Sequence, residues 1–171
     1  MDRMSSIEFA IQNEHSEMGY YLEQAKRSKN DVVKLLFETL AADEKEHMNQ
    51  IRALHEELTA RGTWPEEVAI EIKGTAIAER VDELKRDKAR ASAHDDDDIT
   101  ALKKSAEAEA RGAEFYTDLA GKCDNPKERE FFRFLANIER EHFASIRDSI
   151  FYLEDPEAWF EENSRAGMDG G

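Results

Sequence analysis

The sequence predicts an all-α protein: a four-helix bundle of two repeated helical hairpins joined by a long, partly helical crossover. Three observations carry that prediction. Apolar residues recur at helical spacing along the chain, and no stretch alternates with period two. The 8 glycines and 3 prolines among 171 residues stand mostly where a helix should stop or start. Finally, a pattern of chemically distinct residues in the first half returns in the second half, always 95 positions later.

The elements follow in order. A first helix is expected over Ser5–Ser28 and a second over Asp31–Arg61, closed by Gly62 and Pro65. Residues 62–97 are too long for a tight turn and form the crossover. Within it Ile70–Ala91 is expected to be helical in part, because Ile70, Ala76, Ile77, Val81 and Leu84 make a thin apolar stripe. The run Asp95–Asp98 reads as a solvated loop whose charge favours the positive end of the next helix. It lacks the ligand spacing of a calcium-binding EF-hand loop. A third helix is expected over Asp98–Gly121, ended by Gly121, and a fourth over Pro126–Leu153, with Pro126 in its first turn where a missing N–H costs nothing. Pro156 ends the pattern. Residues 1–160 are thus expected to form one domain (hairpins over about 5–61 and 98–153), and 161–171 a flexible polar tail.

The repeat is dense. Tyr20, Tyr21 and Ala25 match Phe115, Tyr116 and Ala120, and Glu14 matches Glu109. Phe37, Leu40, Ala41, Glu44, His47 and Ile51 match Phe132, Leu135, Ala136, Glu139, His142 and Ile146. No gap is needed, even across the short loop inside each half. Two hairpins in tandem with a long crossover make the ferritin-like variant of the four-helix bundle.

Composition excludes several classes of function. With 24 Lys and Arg against 39 Asp and Glu the net charge is −15, which opposes binding to nucleic acid or to an anionic membrane surface. The apolar runs are too short to span a bilayer. Met1–Ile11 holds no apolar signal segment, so a cytoplasmic protein is expected. Cys123 is the single cysteine, which leaves no internal disulfide and no paired-cysteine metal site.

The chemistry-bearing residues lie on the apolar stripes. With Glu44 set at zero, His47 falls at about −60°, Leu40 at about −40°, Ile51 at about −20° and Phe37 at about +20°. Glu139 and His142 repeat this on the fourth helix. Glu14 shares its face with Ile7, Met18 and Tyr21, and Glu109 shares its face with Leu102, Ala113 and Tyr116. Four carboxylates and two imidazoles therefore point at one bundle axis. Burying them uncompensated is prohibitive, and two divalent cations would cancel the four negative charges. One Glu from each of two helices and Glu-x-x-His from the other two is the pattern of di-iron and di-manganese bundles. Nitrogen with hard oxygen donors suits iron or manganese, with zinc a possible occupant. His15, His55 and His94 lack a Glu at matching spacing and read as surface or bundle-end residues.

Together, Asn13-Glu14 with Tyr20-Tyr21, Asp43-Glu44-Lys45-Glu46-His47, Glu109 with Phe115-Tyr116, and Glu139-Arg140-Glu141-His142 resemble the rubrerythrin-like branch of the ferritin-like superfamily. The ending Asp155-Pro156-Glu157-Ala158-Trp159-Phe160 is similar to that of its stand-alone members. The resemblance implies two iron ions held by Glu14, Glu44, His47, Glu109, Glu139 and His142. It also implies reduction of hydrogen peroxide or reaction with dioxygen, and a homodimer. Rubrerythrins proper carry a four-cysteine rubredoxin domain; with Cys123 alone this chain needs an external redox protein as electron donor. The alternative is an iron-binding, ferroxidase or storage protein without a dedicated peroxide substrate; a third reading treats the metals as structural staples.

The family also carries an extra Glu one turn beyond the third-helix ligand, where this chain has Gly112. The repeat mate of Gly112 is Glu17, at about −60° from Glu14 on the same stripe. Glu17 is expected either to supply a seventh carboxylate from the opposite hairpin, with room at Gly112 for a small oxidant or a moving ligand, or to turn out to solvent. Tyr21 and Tyr116 lie two turns beyond Glu14 and Glu109. They are expected either to pack in the core or to hydrogen-bond a ligating carboxylate and serve as proton or electron donors. Asp43 is placed to orient the histidine of the opposite helix, whereas its mate is Ile138, which would make the two metal positions inequivalent.

Overall fold

The computed structural model describes residues 3–63 and 75–166. It contains six α-helices among those residues: α1 over Arg3–Arg27, α2 over Asp31–Arg61, α3 over Ile77–Lys85, α4 over Asp96–Lys122, α5 over Pro126–Glu154 and α6 over Pro156–Ala166, with a short 3-10 helix over Lys88–Ala93. No strand occurs among them, so the chain is all-α. Pro65 and Ile70 of the crossover, and the tail glycines Gly167, Gly170 and Gly171, lie outside the described residues.

The two hairpins, α1–α2 and α4–α5, start alike. Asn30 caps α2 by accepting from the N–H groups of Val32 and Val33. Asn125 caps α5 by accepting from those of Lys127 and Glu128, and Pro126 takes the first helical position. These two caps are themselves 95 residues apart. Gly62 ends α2 at φ 68, a left-handed conformation that glycine adopts without steric cost.

The interior is not one continuous apolar core. One cluster contains Tyr21, Leu36, Phe37, Leu40, Leu102 and Ile150. The other contains Ile7, Ile51, Leu54, Tyr116, Phe132 and Leu135. Each is closed by a mated aromatic pair, Tyr21 with Phe37 at 5.8 Å and Tyr116 with Phe132 at 6.3 Å. The buried Glu and His residues lie at the middle of the bundle helices that both clusters share.

Three sequence expectations need correction. Residues 161–166, expected in a flexible tail, belong to α6, which continues to Ala166. Pro156 starts a helix there rather than only stopping one. Trp159 is buried, packs edge-on against Tyr152 at 5.3 Å and donates its indole N–H to Asp148 at 2.9 Å. Gly121 does not end α4; it sits in the last turn, and Cys123 takes the cap position. Nor is the Asp run wholly solvated. Asp95 and Asp98 form a reciprocal cap at the start of α4, and Asp98, 1% exposed, is paired with Arg27 at 2.8 Å.

Candidate metal centre

α1 supplies Glu14, α2 supplies Glu44 and His47, α4 supplies Glu109, and α5 supplies Glu139 and His142. All six are buried, none more than 1% exposed. Their donor atoms fall into two overlapping groups, each with all atoms within 4.8 Å of one another. One is Glu14, Glu44, His47 and Glu139; the other is Glu44, Glu109, Glu139 and His142. Glu44 and Glu139 belong to both. Each group draws on both hairpins.

The imidazoles face inward through Nδ1. His47 Nδ1 is 3.0 Å from Glu44 Oε2 and 3.4 Å from Glu14 Oε2. His142 Nδ1 is 3.2 Å from Glu44 Oε1 and 3.4 Å from Glu109 Oε2. The two rings stack at 5.8 Å. His142 Nε2 is held at 3.0 Å by Asp43 Oδ2, which in turn accepts the Thr75 hydroxyl at 2.5 Å. The tyrosines cross between hairpins: the Tyr21 hydroxyl donates to Glu109 Oε1 at 2.5 Å, and the Tyr116 hydroxyl donates to Glu14 Oε1.

The electrostatics are those of crowded acids. Burial, then the charge of Glu44, pushes the Glu14 carboxyl up to about 8. Burial, then Glu109, Glu44 and Glu14, drives Glu139 far above the carboxylate range. Burial opposes charge on Glu44 too, but the close imidazoles of His142 and His47 outweigh it and hold that carboxyl below its ordinary value. Burial alone would lower His47; its carboxylate neighbours Glu14 and Glu44 raise it to about 10. His142 is raised in the same way against its burial by Glu109, Asp43 and Glu44. Both phenols are pushed well above their ordinary value, first by burial and then by the adjacent carboxylates.

A metal fits this arrangement on the evidence of its unsatisfied atoms. Glu14 Oε2, Glu44 Oε1, Glu109 Oε2, both oxygens of Glu139 and His142 Nδ1 are buried without a hydrogen-bond partner. Buried polar atoms left in that state are rare and costly. Here they converge on one centre, and divalent cations would satisfy the oxygens and nitrogens together. Glu17 adds a further such atom: its Oε2 is buried and unpartnered. Its carboxyl is pushed up to about 9, first by burial and then by Glu44, Glu109 and Glu14. Gly112 is not open space, since a Cβ there would lie 2.9 Å from Glu139 Oε2.

The histidines outside the stripes stay outside the centre: His15 is exposed, and His55 only approaches Glu8, at 3.5 Å. Thr75 was missed by sequence reasoning, for it carries no periodic or repeat signal. The mated caps Asn30 and Asn125 were also missed, although the repeat interval alone would have found them. No helix among the described residues is long and apolar enough to cross a membrane.

The rubrerythrin family model matches residues 6–150, which takes in nearly all of both hairpins and every residue of the two groups. No curated protein and no solved structure gives a significant match. With the match spanning most of the chain, and with a buried Glu and His cluster inside a ferritin-like helical bundle, this chain belongs to the rubrerythrin family.

Proposed function

We propose that the chain is a di-iron oxidoreductase that reduces hydrogen peroxide, or dioxygen in its place, with electrons from a separate redox protein. The observation that supports this most is the sharing of Glu44 and Glu139 between two four-donor groups, which describes two neighbouring metal positions with common carboxylates. In this reading Glu14 and His47 hold one iron, Glu109 and His142 hold the other, and Glu44 and Glu139 serve both. Manganese or zinc can occupy the same donors. The chemistry that a bound iron pair supplies is a two-electron reduction, which with two protons converts one hydrogen peroxide to two waters.

The rest falls to this chain's own residues. The apolar clusters on either side keep bulk water from the carboxylates. Tyr21 and Tyr116 hold a proton at Oη against Glu109 Oε1 and Glu14 Oε1. They fix the orientation of those carboxylates and keep phenolic protons next to the site. Asp43 holds the His142 ring by its outer nitrogen, which fixes the inward face of that ring. With one cysteine in the sequence, the chain has no four-cysteine iron site of its own, which supports an external donor.

The test is stopped-flow mixing of the iron-loaded, reduced protein with hydrogen peroxide in the presence of added reductant. Many rapid turnovers are expected, abolished in Glu44→Ala. A single oxidation followed by mineral build-up would instead support the ferroxidase or storage reading. A homodimer belongs to the same proposal: Phe9, Leu22, Phe134 and Phe143 are exposed apolar side chains available to be covered, and light scattering reads the mass directly.

A further inference from the structure

Two of the breaks in the repeat beside the centre change a carboxylate. Glu17 on α1 has Gly112 as its mate on α4, and Asp43 on α2 has Ile138 on α5. Both breaks add a carboxylate to the same side. Glu17 stands one turn before Tyr21, whose hydroxyl crosses to Glu109. Its Oε2 is buried with no hydrogen-bond partner, in the field of Glu44, Glu109 and Glu14. Asp43 meets the outer nitrogen of His142 at 3.0 Å. Glu109 and His142 are the two residues that belong only to the second group.

The other side has neither. Gly112 stands one turn before Tyr116, whose hydroxyl crosses to Glu14, so it occupies the place beside Glu14 that Glu17 occupies beside Glu109. It brings no donor, and the side chain nearest to that place is Glu139, 2.9 Å from where a Cβ would be. Ile138, the mate of Asp43, has no atom that could accept a hydrogen bond from His47.

Resting on the metal reading above, we propose that the two metal positions are inequivalent. The Glu109–His142 position takes Glu17 as an additional carboxylate ligand and is backed by Asp43. The Glu14–His47 position has neither, since Glu139 fills the place beside Gly112, and it carries the lower negative charge of the two. Three physical reasons converge on this. Asn13 hydrogen-bonds the Glu17 carboxyl, but the oxygen left unpartnered among like charges is stabilised by a cation. A carboxylate on the outer nitrogen of a histidine raises the basicity of the inner one. An incoming anion is repelled by the position that carries more negative charge and is directed to its neighbour.

The full chain, loaded anaerobically with ferrous iron, distinguishes the outcomes by Mössbauer spectroscopy. Two quadrupole doublets of equal area are expected. The near-isosteric variants Glu17→Gln and Asp43→Asn are expected to shift the same doublet and leave the other in place, and azide is expected to shift the doublet that they leave. A single doublet overturns the inference. So does Glu17→Gln leaving both doublets unmoved, Asp43→Asn moving the opposite one, or azide acting on the doublet that Glu17→Gln shifts. A protein that takes up no iron overturns the metal reading itself, whereas two irons in one environment leave that reading standing and overturn only the inequivalence.

Discussion

The α1–α2 and α4–α5 hairpins place their donors alike but charge them differently. Glu44 and Glu139 are repeat mates at the centre of the bundle, yet Glu44 is held below the carboxylate range and Glu139 is driven far above it. Both histidines approach Glu44, at 3.0 Å and 3.2 Å, while neither oxygen of Glu139 has a hydrogen-bond partner. Helix periodicity fixes where a donor sits. Which donor keeps its proton depends on which way two imidazole rings lean. A duplicated scaffold can therefore hold an asymmetric charge distribution without moving its backbone.

The largest expected effect separates shared from unshared donors. Glu44→Ala and Glu139→Ala should each abolish uptake of both ions, whereas Glu14→Ala and Glu109→Ala should each spare one, as elemental analysis of purified protein reads directly. Equal losses from Glu14→Ala and Glu44→Ala would break the assignment of two overlapping groups.

A second effect follows from the protons that occupy the metal-free centre. Glu14 at about 8, Glu17 at about 9 and His47 at about 10 are all raised above their ordinary values. The stability such groups contribute is fully present below their unfolded values and is lost as pH rises through the folded ones. Glu44, lowered, works in the opposite sense and only in acid. The melting temperature of metal-free protein is thus expected to fall as pH rises from about 6 to about 9. Divalent metal should remove that fall, because cations replace the protons and metal uptake releases them. A melting temperature that stays flat over this range without metal would contradict the raised values of Glu14, Glu17 and His47.

The smallest effect tests the ends of the hairpins. Asn30→Ala and Asn125→Ala should each cost about 1 kcal/mol in chemical denaturation. Asn30 should cost the more, because its Nδ2 also donates to the Arg90 carbonyl at 2.6 Å, whereas among the described residues the Asn125 side chain serves the cap.

What could be read from the sequence was what repeats. Glu44 and His47 one turn apart on an apolar stripe, and again as Glu139 and His142, need only helical spacing and the 95-residue interval. Singular contacts left no such trace. Asp98 looked like one of a run of solvated acids because its partner Arg27 lies 71 residues away. The hydroxyl of Thr75 reaches Asp43 from a crossover that has no counterpart elsewhere in the chain. α6 was hidden by Pro156, since a proline is compatible with both the end of one helix and the first position of the next. Glu17 sat at the edge of its stripe, where angle alone cannot decide between solvent and centre.

The overlap of the two donor groups has a consequence for how such a chain could have arisen. Glu14, Glu44 and His47 come from one hairpin, but their group is completed by Glu139 from the other. A single hairpin is thus short of a full donor set, and pairing with an identical copy would supply the missing carboxylate to both. A gene for one hairpin that bound metal as a symmetric pair could be duplicated and fused through a crossover without a new donor being invented. Only after fusion could the halves diverge independently, and Glu17 matched by Gly112 in the repeat is a difference that no homodimer of hairpins could have encoded.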